Sequence, residues 1–121
     1  MSKFEEYDLY MRNKSFLTSE HVLAFSDMDG KLMALKPDVT LSIIKNTKDE
    51  GDQLKVCYAE QVYRVPRGAK SFKEIMQTGL ECIGTIDDYN VTEVVSLAIR
   101  SLALLSDEYV LDLSHMGLID A

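Results

Sequence analysis

Gln77 and Glu81 stand four residues apart, with Gly79 midway, in the apolar run FKEIMQTGLECIG that spans 72–84. Side chains alternate across a strand, so an amide, a glycine and a carboxylate there share one face. The carboxylate can accept from an ammonium or an imidazole N–H, the amide can orient either group, and the glycine leaves room for a small ligand above the backbone. The same spacing equally suits a solvated sheet face with its polar side chains outward. Arg64 sits near the end of the preceding apolar run, 54–65, and Arg67 and Lys70 follow it in a short loop. A guanidinium fork suits a carboxylate or phosphate, and an ordinary hairpin tip with solvated cations gives the same pattern. LysProAspValThr at 36–40 opens a further segment, in which Asp38 and Thr40 either face a polar ligand or serve as routine N-terminal helix residues.

The elements that must position these groups are readable from periodicity. His21–Ser26 and Lys31–Leu35 have strand composition, and AspMetAspGly at 27–30 marks a tight turn between them. Phe4–Tyr10 reads as an extended acidic-aromatic piece. Pro37 predicts the start of a helix with Asp38 in its first turn, and Val39, Ile43 and Ile44 form its apolar stripe. Leu54–Val65 and Phe72–Gly84 are two long strands separated by Pro66 and Gly68. Asn90 is the expected N-cap of a helix over Val91–Leu105, whose buried face is Val91, Val94, Val95, Ala98, Leu102 and Leu105. Tyr109–Leu113 is a last apolar strand. Strands this close together are antiparallel, because parallel crossovers need a dozen or more residues. The fold class is therefore α+β.

With 121 residues, the chain has room for one domain, residues 1–121. A formal net charge of −7 argues against general nucleic-acid binding, since an anionic surface repels phosphates. No apolar run reaches bilayer length, which argues against a membrane partner, and the acidic start MSKFEEYDLY lacks the layout of a secretory signal. Cys57 and Cys82, in apolar runs without CxxC spacing, read as buried free thiols of a cytoplasmic protein. His21 and His115 lie in no cluster of metal-ligand spacing, and no phosphate loop, GxSxG or HExxH element is present. Neither a metal nor a cofactor is expected.

In order along the chain these segments resemble the class II aminoacyl-tRNA synthetase core, in the version shared by histidyl-tRNA synthetase and the regulatory subunit of ATP phosphoribosyltransferase. DMDGKLMALKPDVT resembles the hairpin and the L-R-P-E/D-x-T element of that family. VYRVPRG and FKEIMQTGLECIG resemble motif 2 and its return strand, NVTEVVSLAIRSLALL the helix that follows, and EYVLDLSHMGL the next strand and turn. The resemblance implies an antiparallel sheet flanked by helices. It implies a histidine pocket in which Asp38 and Thr40 hold the amino group and Gln77 and Glu81 complete the site. Arg64 takes the place of the motif 2 arginine, which in synthetases contacts the α-phosphate of ATP and the substrate carboxylate, and so joins the implied histidine-binding set.

Two departures separate the alternatives. Synthetases carry Arg-x-Glu in motif 2, whereas Val65 and Pro66 follow Arg64 here. Proline supplies neither a carboxylate nor an N–H, so the nucleotide half is altered while the amino-acid half is retained. Segments matching motif 1, motif 3 and the later histidine-specific stretch are not visible, so the chain reads as a partial core. The resemblance thus implies a non-catalytic, homo-oligomeric regulatory subunit in histidine biosynthesis. It would bind histidine as feedback ligand and partner the catalytic short-form ATP phosphoribosyltransferase, which joins ATP to phosphoribosyl pyrophosphate. The alternatives are a catalytic-core piece of histidyl-tRNA synthetase and a degenerate paralogue that only binds partners.

Overall fold

The computed structural model describes residues 1–17, 21–48, 51 and 53–119. The first sheet has three strands, β1 (Phe4–Glu6), β2 (Ala24–Ser26) and β3 (Leu32–Leu35), with β3 in the middle and antiparallel to both neighbours. The turn between β2 and β3 falls where the AspMetAspGly signal placed it. Gly30 donates to the Asp27 carbonyl at 2.9 Å, and its φ of 76° is one that a side chain would strain. The extended reading of Phe4–Tyr10 holds only to Glu6. Helix α1 (Tyr7–Arg12) follows at once and buries Tyr10 against Ala34 and Leu41, so a helical turn rather than a strand brings the tyrosine inward.

Strands β4 (Leu54–Arg64) and β5 (Lys73–Ile83) form a long antiparallel ribbon, in register from Leu54↔Ile83 to Arg64↔Lys73. One backbone bond ties it to the first sheet, Tyr63 N–H donating to the Lys36 carbonyl at 2.8 Å. Between them lies α2 (Thr40–Asn46). It begins three residues after Pro37, not at it: the Lys36 and Pro37 carbonyls accept from Tyr63 N–H and Arg64 Nε, outside any helix. Val39 and Ile43 pack on Val62 of β4, while Leu41 joins Tyr10 and Ala34. Wedged between two apolar clusters, α2 leaves Ile44 about half exposed, so the expected third member of its stripe faces outward.

Helix α3 (Asp88–Leu105) lies against β5 and starts a turn earlier than Asn90 suggested. Asp87 is the N-cap. Its carboxylate accepts from Asn90 N–H at 2.9 Å, and Asn90 Oδ1 accepts from Asp87 N–H at 3.0 Å, a reciprocal capping box. Asn90 is buried because Gln53 donates to the same Oδ1 at 2.7 Å. Val94, Val95, Ala98 and Leu102 are half-buried, whereas Val91 and Leu105 at the ends of the expected face are exposed. The helix covers only part of the ribbon's back face, which is why Cys57 is exposed and Cys82 half-buried instead of enclosed. Tyr109–Leu113 is not a strand. Its composition is right, but no described strand runs alongside it to satisfy its backbone, and Val110 and Leu113 stay exposed. A short helix, α4 (Met116–Ile119), closes the described chain. Among the described residues no helix is long and apolar enough to cross a membrane, and no metal-ligating cluster occurs.

Candidate functional site

The ribbon register sets the site. Val56, Tyr58, Glu60, Val62 and Arg64 of β4 face the same way as Glu81, Gly79, Gln77, Ile75 and Lys73, their cross-strand partners on β5. Val62 is fully buried under Val39 and Ile43, which fixes α2 and the 37–40 segment over this face. Asp38, Thr40, Arg64, Gln77 and Glu81 are thereby brought together.

Arg64 is the hub. Its Nε donates to the Pro37 carbonyl at 2.6 Å, and one terminal nitrogen reaches both Asp38 Oδ2 at 3.4 Å and Gln77 Oε1 at 3.2 Å. The other Asp38 oxygen accepts from Thr40 N–H at 2.7 Å, so Asp38 shapes the entry to α2 and pairs with the arginine at once. The hydroxyl of Thr40 donates to Glu81 Oε1 at 2.6 Å. Because Arg64 occupies Gln77 Oε1, the amide nitrogen points the other way and donates to Tyr58 Oη at 3.4 Å. Arg67 and Lys70, which shared the anion-site reading, are exposed in the loop and join none of these bonds.

The charges do not balance. Arg64 offsets Asp38, their side chains 25% and 15% exposed. Glu60 lies beside Gln77 on the same face, but the buried Lys36 Nζ takes it at 3.5 Å. Glu81 is half-buried and meets no cation within ion-pair distance among the described residues; its side chain accepts instead from the neutral Thr40 hydroxyl. Burial pushes the Tyr58 hydroxyl above the ordinary tyrosine range, and the negative charges of Glu81 and Asp38 push it further, against Thr40 and Arg64. The site therefore has an excess of negative potential at its Glu81 end and a guanidinium at the other.

Tyr58 was not singled out by composition. Its ring lies over Gly79, its cross-strand partner, filling the space that the glycine appeared to leave open. An aromatic residue on β4 counted into register with a glycine on β5 was the available signal. Clefts of about 320 and 380 Å³ lie elsewhere, one beside α1 and one between the ribbon and α3; of the five residues only Glu81 borders either.

A helix-covered antiparallel ribbon whose arginine, amide and carboxylate share one face is the motif 2 region of a class II aminoacyl-tRNA synthetase-like core. The chain belongs to the histidyl-tRNA synthetase family, whose profile matches residues 2–121. Among curated relatives, it is 37% identical over 112 residues to an ATP phosphoribosyltransferase regulatory subunit of Caldanaerobacter subterraneus, covering 88% of this chain and 30% of that protein. It is 40% identical over 99 residues to the protein of the same name from Thermoanaerobacter pseudethanolicus, covering 77% of this chain and 26% of the relative. The crystal structure of an ATP phosphoribosyltransferase regulatory subunit/histidyl-tRNA synthetase from Bacillus halodurans superposes with a TM-score of 0.69 at 26% identity. It covers 85% of this chain and 27% of that one. The chain thus spans under a third of the length of these relatives.

Proposed function

We propose that this chain carries the histidine-binding face of an ATP phosphoribosyltransferase regulatory subunit, a protein that senses free histidine and acts on a separate catalytic short-form subunit without transferase chemistry of its own. The observation that carries the reading is Glu81, a half-buried carboxylate with a neutral donor on one oxygen and no cation within ion-pair distance among the described residues. A buried charge left unpaired is costly, and an N–H donor from a ligand relieves it. Histidine offers an imidazole N–H for Glu81, an ammonium for Asp38 and Thr40, and a carboxylate for Arg64, with Gln77 between the two ends. The names of the relatives support the regulatory reading. So does the sequence ArgValPro at 64–66, where the carboxylate that positions adenine in synthetases is missing. Feedback then follows if histidine binds one state of the assembly more tightly than another.

Calorimetry with L-histidine and with magnesium-ATP, separately, tests this. The expected result is histidine binding without ATP binding. Magnesium-dependent ATP binding with pyrophosphate exchange would favour the synthetase reading, and binding of ATP alone would overturn the sensor.

A further inference from the structure

Cys57 and Cys82 share the back face of the ribbon, turned away from Glu81 and Gln77. In the register Cys57 stands opposite Leu80 and Cys82 opposite Lys55, so the two thiols are diagonal neighbours across the strand pair. Such neighbours lie roughly 7–8 Å apart at Cα, at or beyond the limit of about 7 Å for a disulfide, so the two sulfurs approach without joining. Both are free thiols, Cys57 exposed and Cys82 half-buried. Both border the cleft of about 380 Å³ between the ribbon and α3, whose walls are mainly apolar, with Leu80, Val94 and Leu97 among them. Lys55 stands at the same cleft, ion-paired with Glu93. Its ammonium is 5.6 Å from the Tyr89 ring centroid and has the Cys82 thiol within its electrostatic reach.

We infer that Cys57 and Cys82 form a two-thiolate site for a soft monovalent metal ion, cuprous copper, held between the two sulfurs at the wall of this cleft. The ligand set decides the class of ion. Thiolates select soft Cu(I) over hard cations. A structural zinc ion takes four ligands, and among the described residues no group of three or more histidine, cysteine, aspartate or glutamate side chains converges. Cu(I) is satisfied by two thiolates in a line, and an ion seated between two sulfurs spans a separation that a direct sulfur–sulfur bond does not. Each thiol gives up its proton as it ligates, so one ion displaces two protons and leaves a singly negative complex. Lys55, shared with Glu93, supplies the neighbouring positive charge, and the apolar wall limits access of water to the metal–sulfur bonds. The inference is independent of the histidine reading, since the two thiols lie on the opposite face of the ribbon.

The test is anaerobic titration of the reduced chain with Cu(I) delivered from a chromogenic chelator of known affinity, on the wild type, Cys57→Ser and Cys82→Ser, with a thermal melt of each. The wild type is expected to take one ion per chain, to gain ultraviolet thiolate-to-copper charge-transfer absorption, and to protect both thiols together from a disulfide reagent. Each serine variant should bind at least about a hundredfold more weakly, because the second thiolate acts at the high effective concentration of a linked ligand. Cys57 is exposed, so Cys57→Ser supplies a folded comparison even where Cys82→Ser does not fold. A Cys57→Ser variant with wild-type affinity would overturn the paired site, as would two ions per wild-type chain or one ion joining two chains on size exclusion. Zinc in place of copper should leave the thiols reactive, and equal protection by zinc would overturn the two-coordinate assignment.

Discussion

Glu81→Gln is the sharpest perturbation of the proposed pocket because it changes charge and almost nothing else. Glutamine is isosteric, and its carbonyl oxygen can keep the 2.6 Å bond from the Thr40 hydroxyl. The amide nitrogen then occupies the position of the second carboxylate oxygen and meets the ligand N–H donor to donor. A charged hydrogen bond is lost, worth about 1.5–3 kcal/mol, which corresponds to a roughly 10- to 150-fold rise in Kd for histidine. Stability should move the other way or stay level. Glu81 has no cationic partner among the described residues, and the chain already carries a net charge of −7. Removing one unpaired negative charge costs the fold no ion pair. The assay is calorimetric titration with histidine alongside a thermal melt of the same sample. An affinity within about threefold of wild type would refute the assignment of Glu81 to the ligand, on the same scale of one hydrogen bond. A weakened affinity accompanied by a large fall in melting temperature would show that Glu81 holds the Thr40 segment in place and does not bind ligand.

Two predictions concern the fold itself. Asp87→Ala removes the side chain that caps α3 through Asn90 N–H and should destabilise the protein by about 1 kcal/mol, seen as a lower urea midpoint at unchanged slope. An unaltered midpoint would mean the capping box is already replaced by solvent. At alkaline pH, burial holds the Tyr10 hydroxyl well above the usual tyrosine range, and burial together with nearby carboxylates raises Tyr58. A folded value above the unfolded value of about 10 means the stabilisation is complete below that pH and is lost as pH rises from there through the folded values. Urea unfolding followed from pH 8 to 11 should show that decline, and Tyr10→Phe should flatten it; equal slopes in the two proteins would exclude Tyr10 as its source.

How much of this was legible in the sequence depends on the range of each interaction. That Gln77 and Glu81 share a face follows from strand alternation alone, and the convergence of Arg64 and Asp38 with them follows once the order of segments is matched to the family. Side chains that answer to local rules were misplaced where a distant partner outbid the rule. The helix expected at Pro37 starts instead at Thr40, because Tyr63 N–H and Arg64 Nε take the Lys36 and Pro37 carbonyls, while Asp38 keeps its local role by accepting from Thr40 N–H. Asn90 has the composition of an N-cap, yet Gln53, remote in sequence, fixes it inside the first turn and leaves the cap to Asp87. Tyr109–Leu113 has strand propensity, which forms no strand without a neighbour. Tyr58 was invisible because its place over Gly79 depends on the register of eleven paired residues, a quantity no single residue type reveals.

The side chains of the proposed pocket are hydrogen-bonded to one another, and that bears on how a sensor would work. Arg64 is held by Pro37, Asp38 and Gln77, Gln77 by Tyr58, and Thr40 by Glu81. A zwitterionic ligand entering this face would exchange bonds more than add them: its carboxylate would draw Arg64 from Asp38 as its ammonium replaced the guanidinium there. Such exchanges contribute little net free energy. The surplus would come from Glu81, the one charge that gains a partner without giving one up. An arrangement of this kind would favour modest affinity with strict chemical selection, and it would couple the 37–40 segment to the ligand, since Asp38 bonds both Arg64 and the Thr40 N–H at the entry to α2. Asp38 is thus the point at which occupancy of the pocket would be converted into a shift of α2, and hence into a signal to a partner chain.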